Sequence, residues 1–170
     1  RSGPSGRPVA QLSFAANHLF SGFDPYAFKV TNLVIHAFCG LLIFSLTLRL
    51  LASPRSPPRR HALLFAGLVA VLWLLHPLQL TPVLHVVQRM TSLSALFLLG
   101  ALLLHVIARE RGGRLGALGV ALAWGVLWPL SFFSKETGVL FPLFALAWEL
   151  IVRRSAHGGL DRFARLLAIA

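Results

Sequence analysis

Five apolar runs, each closed by a basic, proline-containing or polar stretch, constrain this chain more than any other feature. They cover residues 30–52, 62–75, 91–108, 115–133 and 137–152. A helix crossing a bilayer needs about 20 mostly apolar residues, within a range of about 17–25. The first and fourth runs meet that length directly. The second meets it by continuing into His76-Pro77-Leu78, and the third and fifth gain length from flanking helical residues. A small soluble domain has too little interior to cover so many apolar faces. Composition agrees: 12% of residues are charged, about half the usual share of a soluble domain. The expected architecture is all-α, a polytopic transmembrane bundle of about five spans, with the lipid bilayer as solvent and partner. The single cysteine, Cys39, lies inside an apolar run and excludes an internal disulfide or a cysteine-based metal site.

The net charge of +11 is arranged as a topology code. Arg49, Arg55, Arg59 and Arg60 fall between the first two runs. Arg109, Arg111 and Arg114 fall between the third and fourth, and Arg153, Arg154, Arg162 and Arg165 follow the fifth. All of these lie on one side of an alternating bundle. The other side receives only Arg1, Arg7, Lys29, Arg89 and Lys135. The positive-inside rule makes the first side cytoplasmic and puts residues 1–29 outside. Charge spent on topology gives no support to nucleic-acid binding.

Residues 8–23 differ from the spans. Leu12, Ala16, Leu19, Phe20 and Phe23 recur at helical spacing among Gln11, Asn17, His18 and Ser21, the pattern of an N-terminal amphipathic helix lying in the outer interface. Gly22, Asp24 and Pro25 break it. Three regions follow: an outer-face segment over 1–29 carrying that helix, the five-span bundle over 30–152, and a cytoplasmic segment over 153–170 leading into a further helix. The chain reads as an internal piece of a longer protein.

Polar residues concentrate at the outer ends of the spans: Asn32, His36, His76, Gln79, His85, Gln88, Arg89, Ser134, Lys135 and Glu136. Polar groups at membrane depth face a water-filled cavity or one another. Asn32 and His36, one turn apart, read either as a cavity-lining pair or as an interhelical hydrogen bond holding the bundle. His76-Pro77 ends a span, and Thr81-Pro82 fits the cap and first turn of the next helix. On that helix His85, Gln88, Arg89 and Ser92 would share a face. Arg89 reads as a phosphate ligand or a lipid-headgroup anchor. Ser134 fits an N-cap for the fifth span, with Lys135 and Glu136 in its first turn, where Lys135 would serve an anion. Glu149 and Arg153 read as a helix pair. His105 stands apart near the cytoplasmic end. No metal-binding, P-loop or serine-hydrolase motif occurs.

Several stretches together resemble polytopic glycosyltransferases of the GT-C class, most closely the tetratricopeptide-containing branch related to protein O-mannosyltransferases. They are Arg7-Pro8-Val9-x-x-Leu12-Ser13-Phe14-Ala15-x-Asn17, Lys29-Val30-Thr31-Asn32-Leu33-x-x-His36 and His76-Pro77-Leu78-Gln79. Val86-Val87-Gln88-Arg89-Met90-x-Ser92-Leu93 and Ser134-Lys135-Glu136-Thr137 complete the set. The resemblance implies a membrane enzyme transferring a mannose-like sugar from a polyprenyl-phosphate donor to a protein or other acceptor outside the cytoplasm. It firmly implies no cofactor, the polyprenyl-phosphate-linked sugar being the donor substrate. It places the general-base carboxylate upstream of Arg1, leaving the catalytic residue outside this chain, and tetratricopeptide repeats downstream. Relatives often carry a carboxylate after the His-Pro-Leu-Gln segment, where this chain has Leu80-Thr81-Pro82. Within this frame Arg89 and Lys135 are expected to hold the donor phosphate. Asn32, His36, His76, Gln79, His85, Gln88 and Glu136 would supply cavity polarity, and Arg7 would anchor the outer loop. A bacterial plasma membrane is the expected location. The competing expectation is a non-catalytic polytopic protein, transporter-like or an assembly subunit, whose outer residues contact lipid.

Overall fold

A computed structural model describes residues 7–51 and 58–153. The expected turn over 53–58 and the expected cytoplasmic segment over 153–170 fall almost wholly outside the described residues. The described chain is helical. It comprises α1 (Pro8–Ser21), α2 (Pro25–Leu51), α3 (Arg59–Leu75), α4 (Leu80–Leu84), α5 (Arg89–Arg111), α6 (Gly113–Leu122), α7 (Trp128–Ser134) and α8 (Phe141–Ala147). Short 3-10 turns at Pro77–Gln79, Val86–Gln88 and Glu136–Leu140 join some of these, and π-helical turns occupy Ala123–Leu127 and Trp148–Arg153.

Local chemistry sets the boundaries. The amide of Gly22 bonds the His18 carbonyl at 2.8 Å and closes α1. Asp24 then starts α2: its Oδ1 accepts from the Tyr26 amide at 3.0 Å, with Pro25 between them. An acidic cap followed by proline in the first helical position satisfies one orphan amide and removes another. Gly112 and Gly113 both take positive φ, 64° and 60°, which lets α5 reverse into α6 in a turn a side chain would strain. The π-helical turn of Ala123–Leu127 immediately precedes Pro129. Proline cannot donate to the carbonyl four residues back, and a widened turn accommodates the missing bond.

Among the described residues, three helices are long and apolar enough to cross a membrane: Pro25–Leu51, Val86–Arg111 and Gly113–Ser134. A fourth exists if Arg59–Leu75 and Pro77–Leu84, bent by 55°, form one broken span. The fifth apolar run is helical, divided among the 3-10 turn, α8 and the final π turn. The all-α polytopic bundle is thus the observed architecture.

Helix α5 is the central element, in contact with α2, α6, α7 and α8. On one side Leu93 meets Ile35 and Cys39 of α2, with Trp73 of α3 beside them. On the other, Ala101 meets Ala123, Phe141 and Ala145, flanked by Trp124 and Trp128. Small residues at these crossings bring helices close enough for dispersion to hold them where lipid removes the hydrophobic drive. The outward faces keep Leu33, Phe38 and Leu41 of α2 and Phe65, Leu68 and Leu72 of α3 exposed. Apolar surface of that extent suits hydrocarbon, not water.

Helix α1 is amphipathic in an inverted sense. Leu12, Leu19 and Phe20 face outward, Phe20 being 92% exposed, while Ser13 and Asn17 turn towards the protein, where they bond Arg89. The polar face seats the helix and the apolar face is left exposed.

Candidate functional site

The polar residues expected at the outer ends of the spans fall mainly in two neighbourhoods. The first is centred on Arg89, whose residue is 0% exposed. Its Nε donates to Asn32 Oδ1 at 2.7 Å. Nη1 donates to the Ser13 carbonyl at 3.2 Å, with Ser13 Oγ at 3.4 Å. Nη2 donates to Asn17 Oδ1 and to the Phe28 carbonyl, both at 2.9 Å. The guanidinium carbon lies 4.8 Å from the Phe14 ring centroid and 5.2 Å from that of Phe28. Among the described residues no carboxylate forms an ion pair with it. The fork expected to hold a donor phosphate has, in this arrangement, every nitrogen engaged by neutral acceptors and two aromatic rings beside it.

Asn32 is shared with this centre. While Oδ1 serves Arg89, its Nδ2 donates to the carbonyls of Val83 and His85 at 3.3 and 3.4 Å. They flank the point where the chain turns extended at His85 (φ −92°, ψ 115°), between α4 and the Val86–Gln88 turn, and the His85 carbonyl also accepts the Gln88 amide at 3.0 Å. The expected continuous face of His85, Gln88, Arg89 and Ser92 is therefore broken, and the exposed imidazole of His85 is not part of it. Thr81 does not cap that helix either, since Gln79 holds the cap position without a side-chain bond. His36 is buried, its Nε2 3.1 Å from the Leu74 carbonyl and its ring stacked on Trp73. Asn32 and His36 thus act as interhelical hydrogen bonds, the second of the two alternatives for that pair. His76 is exposed and caps its own turn, Nδ1 accepting from the Leu78 amide at 3.3 Å. Gln79 is half-buried in that turn.

The second neighbourhood contains Lys135. It occupies the extended link (φ −161°, ψ 152°) between α7 and the turn that starts at Glu136. Its Nζ donates to Thr91 Oγ1 at 2.8 Å, and Thr91 in turn donates to Gln88 Oε1 at 3.0 Å. Beneath it Ser94 Oγ stands 3.2 Å from Ser131 Oγ and 3.1 Å from Thr137 Oγ1. An ammonium carries three donors, so the bond to Thr91 orients Lys135 and leaves donor capacity for a ligand. Ser134 is not the expected N-cap. Its hydroxyl bonds back to the Leu130 carbonyl at 2.7 Å, and Lys135 itself holds the cap position.

Glu136 and Arg7 tie the two neighbourhoods together. Arg7 Nη2 donates to both carboxylate oxygens at 2.8 and 3.0 Å, and its Nε to Oε1 at 3.3 Å, joining the start of α1 to the residue after Lys135. The bonds from Arg7 hold the Glu136 carboxyl below its usual range, with the adjacent backbone amide adding to the effect. A carboxyl depressed in the folded state contributes above its unfolded value, and the contribution is lost as pH falls through the folded one. Acidification below the ordinary glutamate range should therefore loosen α1, and Glu136→Gln should abolish that acid step. Hydrogen exchange of the α1 amides across an acid titration checks this; an unchanged profile in Glu136→Gln would count against it. The pair is exposed, so its effect on stability should be small.

Thr91, Ser94 and Ser131 are not candidates from sequence, and Thr137 enters there only as the end of the Ser134-Lys135-Glu136-Thr137 stretch. Each is a short hydroxyl residue inside or beside an apolar run, where self-bonding to the helix is the ordinary fate. At the opposite end of the bundle Arg49 pairs with Glu110 at 2.7 Å, and Arg109 pairs with Glu149. Glu149 also lies 3.4 Å from His105 Nε2, and Trp124 Nε1 donates to His105 Nδ1 at 3.3 Å. Glu149 is thus bound across helices; its expected partner Arg153 has its side chain outside the described residues. Among the described residues no group of three metal-ligating side chains assembles.

No family model matches the chain, and no solved structure does. Curated sequences do. A protein O-mannosyl-transferase of Caenorhabditis elegans, F38B6.6, is 25% identical over 166 residues, covering 96% of this chain and 21% of its own length. Protein O-mannosyl-transferase tmtc2 of Xenopus laevis is 30% identical over 149 residues, 87% of this chain and 17% of its own length. Protein O-mannosyl-transferase TMTC3 of Mus musculus is 34% identical over 103 residues, 61% of this chain and 10% of its own length. These are animal proteins and lend the expected bacterial plasma membrane no support. The chain spans at most about a fifth of the length of these relatives. Its similarity to protein O-mannosyl-transferases extends along nearly all of its own length.

Proposed function

We propose that this chain is part of a membrane-embedded glycosyltransferase of the GT-C class. It would move a mannose-like sugar from a polyprenyl-phosphate donor to a protein acceptor on the non-cytoplasmic side. The observation that carries the reading is the similarity to protein O-mannosyl-transferases over 96% of the chain, in a bundle that holds the half-buried Lys135 on Thr91. A sugar leaving a lipid phosphate places negative charge on that phosphate, and a preorganised cation in a dry setting stabilises it more than water does. Lys135 is the residue built for this. Thr91 orients its ammonium, while Glu136 beside it is taken up by Arg7. Arg89 adds charge at a distance and makes no direct contact with the donor. Gln88, reached through Thr91, together with Gln79 and His76, would supply neutral partners for sugar hydroxyls. The general base is assigned to the outer loop that precedes α1, and the tetratricopeptide repeats of that branch to the part following the membrane bundle.

The test uses the full-length protein in detergent with mannosyl polyprenyl phosphate and a peptide rich in serine and threonine. Hexose should appear on the peptide at the expense of the lipid-linked donor. Transfer from a nucleotide sugar alone, or none from either donor, would overturn the reading and leave a non-catalytic membrane protein.

A further inference from the structure

Arg89 combines three properties that seldom coincide. Its side chain is closed to solvent, its charge has no carboxylate partner among the described residues, and its acceptors come from separate elements. Ser13, Phe14 and Asn17 belong to α1, Phe28 and Asn32 to α2, and Arg89 itself opens α5. A buried charge is tolerated only where its hydrogen-bonding capacity is met. Any shift of α1 away from this seat would strand both the guanidinium and the inward-facing Asn17. Because the polar face of α1 is turned inward, hydrophobic burial alone cannot be what docks that helix. Only Ala10 of α1 is buried, at 3% exposure.

We propose that Arg89 is a positioning residue: its fork locks α1 in register with Lys135. The Arg7–Glu136 pair marks the second point of that register, since it bonds the first turn of α1 to the residue after Lys135. This rests on the transferase reading for its catalytic consequence, but the seating of α1 is a property of the fold alone. Charge without fork is insufficient: a lysine at this position could satisfy one or two of the acceptors and leave the rest buried without a donor.

The experiment uses the full-length protein carrying Ala10→Cys, with the protein lacking that cysteine as background, and combines it with Arg89→Lys. In detergent the introduced cysteine should resist a polar maleimide when Arg89 is present. In Arg89→Lys it should react faster by about tenfold or more, as local undocking exposes it. Transfer should lose kcat by between about tenfold and a hundredfold, the scale of a small misplacement, while KM for mannosyl polyprenyl phosphate stays within about twofold because the positive charge is kept. Asn17→Ala, which removes one acceptor and spares the charge, should give the same labelling change in smaller degree and serves if Arg89→Lys does not accumulate. Protection of the introduced cysteine in both variants, or full kcat in Arg89→Lys, overturns the proposal. If the unsubstituted protein transfers no sugar, the transferase reading fails, and the labelling comparison still decides whether Arg89 seats α1.

Discussion

Replacing Lys135 by alanine should reduce kcat/KM for sugar transfer on the order of a hundredfold, with the protein still folded. The reason is the difference between what the ammonium does for the fold and what it is proposed to do for the donor. In the fold it makes one hydrogen bond, to Thr91 Oγ1 at 2.8 Å, and a single such bond contributes about 0.5–1.5 kcal/mol net. Thr91 keeps its bond to Gln88 without it. At the donor, by contrast, the ammonium would meet developing charge on a phosphate. Loss of one preorganised donor at such a position costs about a hundredfold to a thousandfold in other enzymes. Lys135→Arg should recover part of the loss, because charge returns on a longer and differently shaped group. Steady-state transfer kinetics with thermal unfolding in parallel separate the two effects. An unchanged kcat/KM in Lys135→Ala would remove the phosphate from this neighbourhood.

The largest effect on stability should come from Gly138→Ala. A methyl group built there would stand 2.4 Å from the Phe132 nitrogen, 2.6 Å from the Ser131 carbonyl carbon and 2.7 Å from the Phe132 Cα. These are backbone atoms of α7, with no flexible tip to move aside. The same glycine accepts the Trp128 indole N–H at 3.1 Å through its carbonyl, so any displacement also strains a bond that ties the turn to the aromatic cluster. Overpacking of this kind costs about 1–3 kcal/mol or more. It would also shift Lys135, three residues away, and should lower activity together with the thermal midpoint. Gly67→Ala is the matched control. Nothing lies within 4 Å of the added carbon there, and alanine is the better helix former, so its midpoint should hold or rise. Equal midpoints for the two variants would contradict the close approach.

How much of this was legible in the sequence depended on whether a feature is local. The run over 30–52 corresponds to α2, and the Gly112-Gly113 reversal falls where the arginine-flanked glycines stand, because hydropathy, proline and glycine act within a few residues. The break at His85 carries no such mark. It is sustained by Asn32, some fifty residues earlier, whose amide donates to the Val83 and His85 carbonyls on either side of the break. Arg89 shows the same limit from the functional side. As the lone cation in an apolar stretch it reads as a ligand for an anion, and sequence cannot reveal that α1 and α2 converge to occupy it. The inverted face of α1 follows from that: an amphipathic pattern gives two faces but not which one the protein keeps. Ser134 failed as a cap because its hydroxyl has a nearer acceptor one turn back.

The most direct measurement follows the acceptor itself. Full-length protein would be reconstituted in sealed vesicles of defined orientation with mannosyl polyprenyl phosphate. A serine- and threonine-rich peptide would be enclosed with the face bearing Arg7 and Lys135, or supplied to the opposite face, and then read by mass spectrometry. The expected result is hexose on the peptide at the Lys135 face only, lost in Lys135→Ala. Hexose at the opposite face, at neither face, or undiminished in Lys135→Ala would contradict a transferase working at this end of the bundle.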